Sequence, residues 1–112
     1  LQRDRRRRIL GATIPGAAMV TIDVRHKVKD FAQWKAVFDG AAAARRDAGE
    51  LRCRVYLRHG SQDDVLVSMD WDSLERAQAF LSSPALMAGM QQAGVREMPQ
   101  ILILSPVDGY AP

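Results

Sequence analysis

Asparagine is absent from the 112-residue chain and cysteine occurs once, at Cys53. The first absence removes every mechanism that needs an asparagine carboxamide. The second excludes an internal disulfide framework and any multi-cysteine zinc site. Aromatic residues are only 6% of the chain. No stretch approaches the about 18 consecutive apolar residues of a membrane span, so a soluble, cytoplasmic protein with no membrane partner is expected. What remains is 47% hydrophobic residues over a length that suits one domain and leaves little room for a second.

The net charge of +3 is unevenly spread. Residues 1–18 carry Arg3, Arg5, Arg6, Arg7 and Arg8 against Asp4, whereas residues 19–112 hold 11 basic and 12 acidic side chains. A nucleic-acid binder needs its basic footprint on the folded domain, so no nucleic-acid partner is expected. The opening stretch shows no helical or strand period and contains Gly11, Pro15 and Gly16. It reads as a disordered or non-native basic leader, with a phosphate-binding arm or a twin-arginine signal as functional alternatives. The single folded domain is placed at 19–112.

Within that domain the hydrophobic period changes four times. Val20, Ile22, Val24, His26 and Val28 alternate with polar residues, which predicts a strand with one dry face. Asp30 and Gln33 form a capping-box pattern. A helix follows, carrying Phe31, Trp34, Phe38 and Ala41 at helical spacing. Arg45 and Arg46 near its end suit the helix dipole, and Gly49 supplies the stop. Leu51–Arg58 alternates again. A turn at 60–63 leads to a third strand through Val65, Val67, Met69 and Trp71, so the two make a hairpin. Asp72 and Glu75 open a second helix with Leu74, Ala77, Phe80 and Leu81. Ser83-Pro84 interrupts it and restarts a short helix through Leu86, Met87 and Met90. Gln100–Leu104 is a nearly all-apolar last strand.

The order β-α-β-β-α-β is the split βαβ arrangement of α+β ferredoxin-like folds. Right-handed crossovers place the first and third strands centrally in a four-stranded antiparallel sheet, with the helices on one face. The other face, bearing Asp23, Arg25, Arg54, Tyr56, Arg58, Ser68 and Asp70, is too mixed in sign for a phosphate platform. Because Ile101-Leu102-Ile103-Leu104 does not alternate, both its faces want burial, and an apolar edge is a liability until covered. A second copy covers it by a two-fold contact, so a homodimer is expected.

The same topology gathers residues at one end of the sheet. His26 and His59 end parallel strands about 10 Å apart. The first helix starts there with Phe31 and Trp34, and the second finishes there with Met87 and Met90. Together with Phe38 and with Met69 on the dry phase of the third strand, these side chains outline an apolar cleft between sheet and helices, the usual form of a small-molecule site. His26 and His59 stand too far apart to share a metal ion, so no metal is expected. An RNA-recognition module needs aromatics on its central strands, and the solvent-side phase offers Tyr56 on an edge strand. A metal-chaperone Cys-x-x-Cys loop and an acylphosphatase-like phosphate loop are both missing.

The stretch Val24-Arg25-His26-Lys27-Val28-Lys29-Asp30-Phe31-Ala32-Gln33-Trp34-Lys35 resembles the dimeric α/β-barrel superfamily, and within it the antibiotic biosynthesis monooxygenase-like and small cyclase-type proteins. Arg54-Val55-Tyr56, Ser83-Pro84, Met90, Ala93-Gly94-Val95 and Pro99 add to the resemblance, which covers residues 20–104. It implies two sheets packed as a barrel at a dimer centre, with a ligand cleft between each sheet and its helices. It also implies cofactor-independent oxidation or ring closure of a small aromatic or polyketide-like compound. The substrate supplies its own electrons to oxygen, His26 takes the proton, and Trp34 and Phe38 hold the ring. Haem-degrading relatives use an Asn, Trp and His set that a chain without asparagine does not have. The alternative is a non-catalytic metabolite-binding or stress-associated dimeric module. A void beside His26 favours the enzyme, whereas Met87 and Met90 filling it favours the module.

Overall fold

Alternation in the first strand is realised as β1, Val20–Lys27, whose even positions Val20, Ile22, Val24 and His26 are all buried. The computed structural model describes residues 19–109. The leader expected at 1–18 lies outside the described residues. β2 spans Glu50–Leu57, β3 Asp64–Trp71 and β4 Gln100–Leu104. The sheet order is β2-β3-β1-β4, and every neighbouring pair is antiparallel. The first and third strands are therefore central, as right-handed crossovers require.

Four helices cover one face: α1 Phe31–Gly40, α2 Ala42–Ala48, α3 Leu74–Leu81 and α4 Pro84–Gln92. The single helix expected between the first two strands is broken at Ala41. Gly40 weakens the helix, and the Ala41 N–H turns back to Phe38 O and Asp39 O. The Asp30 carboxylate caps the Gln33 N–H at 3.1 Å, but the expected capping box is half formed, because the Gln33 amide donates to Gln92 O at 3.2 Å instead. That exchange ties the start of α1 to the end of α4. Ser73, not Asp72, caps α3, and Ser83 with Pro84 restarts the chain as α4.

The core is the seam between sheet and helices. Ile22, Val28, Val65, Val67 and Trp71 are its largest sealed side chains, each contributing roughly 1.5–3 kcal/mol of burial. Trp71 packs on Phe80 of α3 with ring centroids 4.7 Å apart. Gly49, at φ 128°, makes the turn from α2 into β2. A side chain there would stand 2.7 Å from Asp72 Oδ1, so that turn requires glycine. A register shift between Glu50 and Arg52 marks a bulge at the start of β2.

Among the described residues nothing covers either edge of the sheet. Every residue of β4 is exposed, Leu102 to 60% and Ile103 to 41%. Register places Ile101 and Ile103 on the helix side and Leu102 and Leu104 on the other. That second face has Arg52 paired to Asp70 at 2.8 Å and the Thr21 hydroxyl donating to Asp70 at 2.7 Å.

Candidate functional site

Helices as short as α1 to α4, set end to end in two pairs, do not close against the sheet along their whole length. They leave a cavity of about 520 Å³. Val24 and His26 of β1 and Val67 and Met69 of β3 form its floor. Trp34, Phe38 and Arg45 wall one side, while Phe80, Leu86 and Met90 wall the other. A volume of this size suits a small-molecule ligand, and the predominantly apolar lining with few polar groups is the usual composition of such a site.

The wall contributed by α1 is an aromatic rail. Residues 31, 34 and 38 share a helix face by their spacing of three and four. The Trp34 ring stacks on Phe38 at 4.9 Å and on Phe31 at 5.8 Å. At its sheet end His26 lies tilted against Trp34, 5.6 Å between centroids. The faces in this array are taken up by one another, so the rings offer the cavity their edges, which meet a flat ring system edge-to-face.

His26 is buried to 7% exposure, and neither ring nitrogen has a hydrogen-bond partner among the described residues. Buried polar atoms are ordinarily paired, so an unpaired imidazole bordering a cavity is an exception that calls for a partner, although both nitrogens are sealed from the cavity in this conformation. Desolvation pushes its pKa below the ordinary 6.5, and the Asp64 carboxylate opposes that shift without cancelling it. The folded protein thus holds a neutral imidazole at pH 7, able to accept a proton. The unfolded chain binds a proton more readily than the folded one, so this group's contribution to stability is full above about 6.5 and lost as pH falls. Urea denaturation from pH 7.5 to 5.5 should show declining stability, with the decline reduced in His26→Leu; equal decline in both proteins would contradict the assignment. Asp64, held below the usual carboxylate range by its Arg25 hydrogen bonds, loses its contribution in a separate window below its ordinary 3.8.

The far end of the rail is closed by a group the sequence reading assigned to the helix dipole. Arg45 is 5% exposed. Its Nε donates to Glu50 Oε2 at 3.0 Å, its Nη1 to Phe38 O at 2.7 Å, and its guanidinium carbon lies 3.7 Å from the Phe38 ring centroid. A signal was present: positions 34, 38, 41 and 45 continue one helical stripe, and an arginine on such a stripe is buried with a partner or not at all.

His26, Trp34, Phe38, Met69 and Met90, all expected at the site, line the cavity. Phe31 stands behind Trp34, outside the lining, and Met87 is 59% exposed. Met87 leaves the stripe because the helix restarting at Pro84 turns positions 86, 89, 90 and 93 inward. His59 is exposed at the β2–β3 turn, beyond the last paired residue Leu57, and does not join His26.

No family model and no curated protein matches the sequence. Solved structures do match. SnoaB, a cofactor-independent oxygenase from Streptomyces nogalater, superposes with a TM-score of 0.70 at 16% identity over 83% of this chain and 97% of its own. A protein described as a candidate antibiotic biosynthesis monooxygenase from Caulobacter crescentus gives 0.68 at 17% identity, over 83% and 93%. Rv0793 from Mycobacterium tuberculosis gives 0.65 at 14% identity, over 84% and 100%. The chain therefore has the α+β ferredoxin-like fold of the antibiotic biosynthesis monooxygenase-like structures, and at these identities the likeness is one of fold.

Proposed function

We propose that this protein is a cofactor-independent monooxygenase or cyclase acting on a small aromatic or polyketide-like compound, and that it works as a homodimer. The observation that carries the reading is the neutral, partnerless imidazole of His26 on the wall of an open apolar cavity. Methionine does not fill that void, since Met87 points outward. Structural neighbours that include a cofactor-independent oxygenase lend support. The exposed apolar strand β4 and the mixed-charge outer sheet face support the dimer.

In this reading the substrate ring lies along Trp34 and Phe38 with a phenolic hydroxyl at His26. The imidazole takes the phenolic proton. The phenolate, now electron-rich, passes electrons to dioxygen. The ring carbon para to the hydroxyl loses its hydrogen and gains one oxygen atom, and the second oxygen leaves as water with the two hydrogens released. Phenol plus dioxygen thus gives quinone plus water, the substrate supplying all four electrons. The apolar cavity keeps bulk water from the reactive intermediates.

The test is oxygen uptake with 1,8-dihydroxyanthrone. The protein should accelerate uptake above the buffer rate, and His26→Ala should lower the accelerated rate by about 100-fold or more. The melting temperature should hardly move, because the variant removes two unpartnered nitrogens along with the ring's packing. A fully active variant would make His26 scaffolding. Ring binding without any oxygen uptake would return the protein to a non-catalytic metabolite-binding module.

A further inference from the structure

Resting on that reading of the cavity, we infer that its ligand is an anion: an aromatic compound bearing a carboxylate or a similarly charged acidic substituent, seated on Arg45 at the end of the rail opposite His26. Three observations meet there. The lining contains no aspartate or glutamate, while Arg45, Arg76 and His26 all contribute to it. Of the two arginines, Arg76 is bound to Asp72 and to Asp47 O at 2.7 and 2.6 Å, which holds it at the rim. Arg45 is more than nine-tenths buried, and among the described residues only part of its hydrogen-bonding capacity is used.

A guanidinium carries five N–H groups. Arg45 commits Nε to Glu50 and one N–H of Nη1 to Phe38 O, and Nη2 has no hydrogen bond among the described residues. Nor is Nη2 among the sealed, partnerless atoms of the interior. Glu50 and the Phe38 carbonyl fix the plane of the guanidinium, so its open edge is preorganised. Planar, two-point recognition of an acid group is the geometry that arginine offers and lysine does not.

The spacing fits an aromatic acid. Successive steps of 5.6 Å from His26 to Trp34, 4.9 Å to Phe38 and 3.7 Å to the Arg45 guanidinium carbon form a rail with a proton acceptor at one end and a cation at the other. A ring system lying along the cavity-side edges of the two rings, whose faces are taken by each other, by Phe31 and by the guanidinium, presents opposite ends to these two groups. The acid group then sets which end of the substrate meets His26.

The test compares two dyes of one skeleton, 8-anilinonaphthalene-1-sulfonate and its neutral analogue N-phenyl-1-naphthylamine. Their dissociation constants are measured by fluorescence titration on the full chain. Because Arg45→Met alone strands Glu50, the informative variant is Arg45→Met with Glu50→Met. The preference for the sulfonate should fall by about tenfold in that variant, the scale of one charge-assisted hydrogen bond. Gly89 lines the cavity and a side chain there meets nothing within 4 Å. Gly89→Phe should therefore weaken both dyes alike by about tenfold, placing them in the cavity. An unchanged preference in the double variant, failure of both dyes to bind the parent protein, or indifference of both to Gly89→Phe would each overturn the inference. Loss of preference without oxygen uptake on the anthrone would leave anion recognition standing and remove the oxygenase reading alone.

Discussion

Aspartate at both 101 and 103 is expected to abolish the proposed dimer, giving a 12.4 kDa scattering species or a precipitate in place of one of twice that mass. Ile101 and Ile103 are 39% and 41% exposed in the single chain, on the strand at the sheet's edge. Covering the remaining two-fifths of each in an interface is worth roughly 0.6–1.2 kcal/mol, that share of the value for a whole side chain. Replacing it by a carboxylate adds a desolvation penalty of several kcal/mol per ion. The two changes together exceed what a standard interface can absorb. In a chain that functions alone the same substitutions would cost less, because about two-fifths of each side chain already meets water. Light scattering of the parent and the double variant separates the cases, and an unaltered dimer would remove β4 from the interface.

The second large effect concerns the ion pair at the cavity's end. Arg45 and Glu50 retain 6% and 4% of their side-chain exposure and meet at 3.0 Å. Removing one partner leaves a buried charge unmatched, at about 3–5 kcal/mol. Against a typical total of about 5–15 kcal/mol, that is a large share of the stability. Arg45→Met also forfeits the hydrogen bond to Phe38 O and the contact with the Phe38 ring. Glu50→Met and Arg45→Met should therefore each lower the urea midpoint strongly. The double replacement should recover most of the loss, because an apolar pair leaves no charge to desolvate. If the single changes prove as mild as the double, the pair is not holding α2 to β2.

The sheet was legible in the sequence because alternation is a direct image of a strand with one dry face. Val20–Val28 and Val65–Trp71 carry that image cleanly, and they are the two central strands. The restart at Ser83-Pro84 was legible for a similar reason, since proline at a first helical position has few alternatives. The break at Ala41 was not. A run of alanines propagates a helix on paper, and the competing bonds from the Ala41 N–H arise only once the sheet fixes where α2 must end. Convergence of His26, Trp34, Phe38 and Met90 followed from topology. Met87 failed because the helical phase after Pro84 is set by the cap rather than by the preceding helix. His59 failed because a strand's last paired residue, not its last alternating one, decides which side chains reach the interior. Arg45 was hidden by a rule of thumb: a cation near a helix end usually faces water.

The bulge at the start of β2 carries a consequence for chain length. Glu50 and Arg52 are two apart, and an unbroken strand would present them on the same side. The extra residue, Leu51, reverses this, so that Glu50 lies opposite Trp71 beneath the helices while Arg52 lies opposite Asp70 on the outer face. One residue thus acts as a spacer that sorts opposite charges onto opposite sides of a single strand. Straightening the bulge with Leu51 retained would swing the glutamate out to join the arginine's side and leave the guanidinium of Arg45 in the interior without its counter-ion. Deleting Leu51 would instead restore ordinary alternation and keep Glu50 inward. The polarity of the cavity is encoded in a local irregularity of the backbone as much as in the chemistry of any side chain.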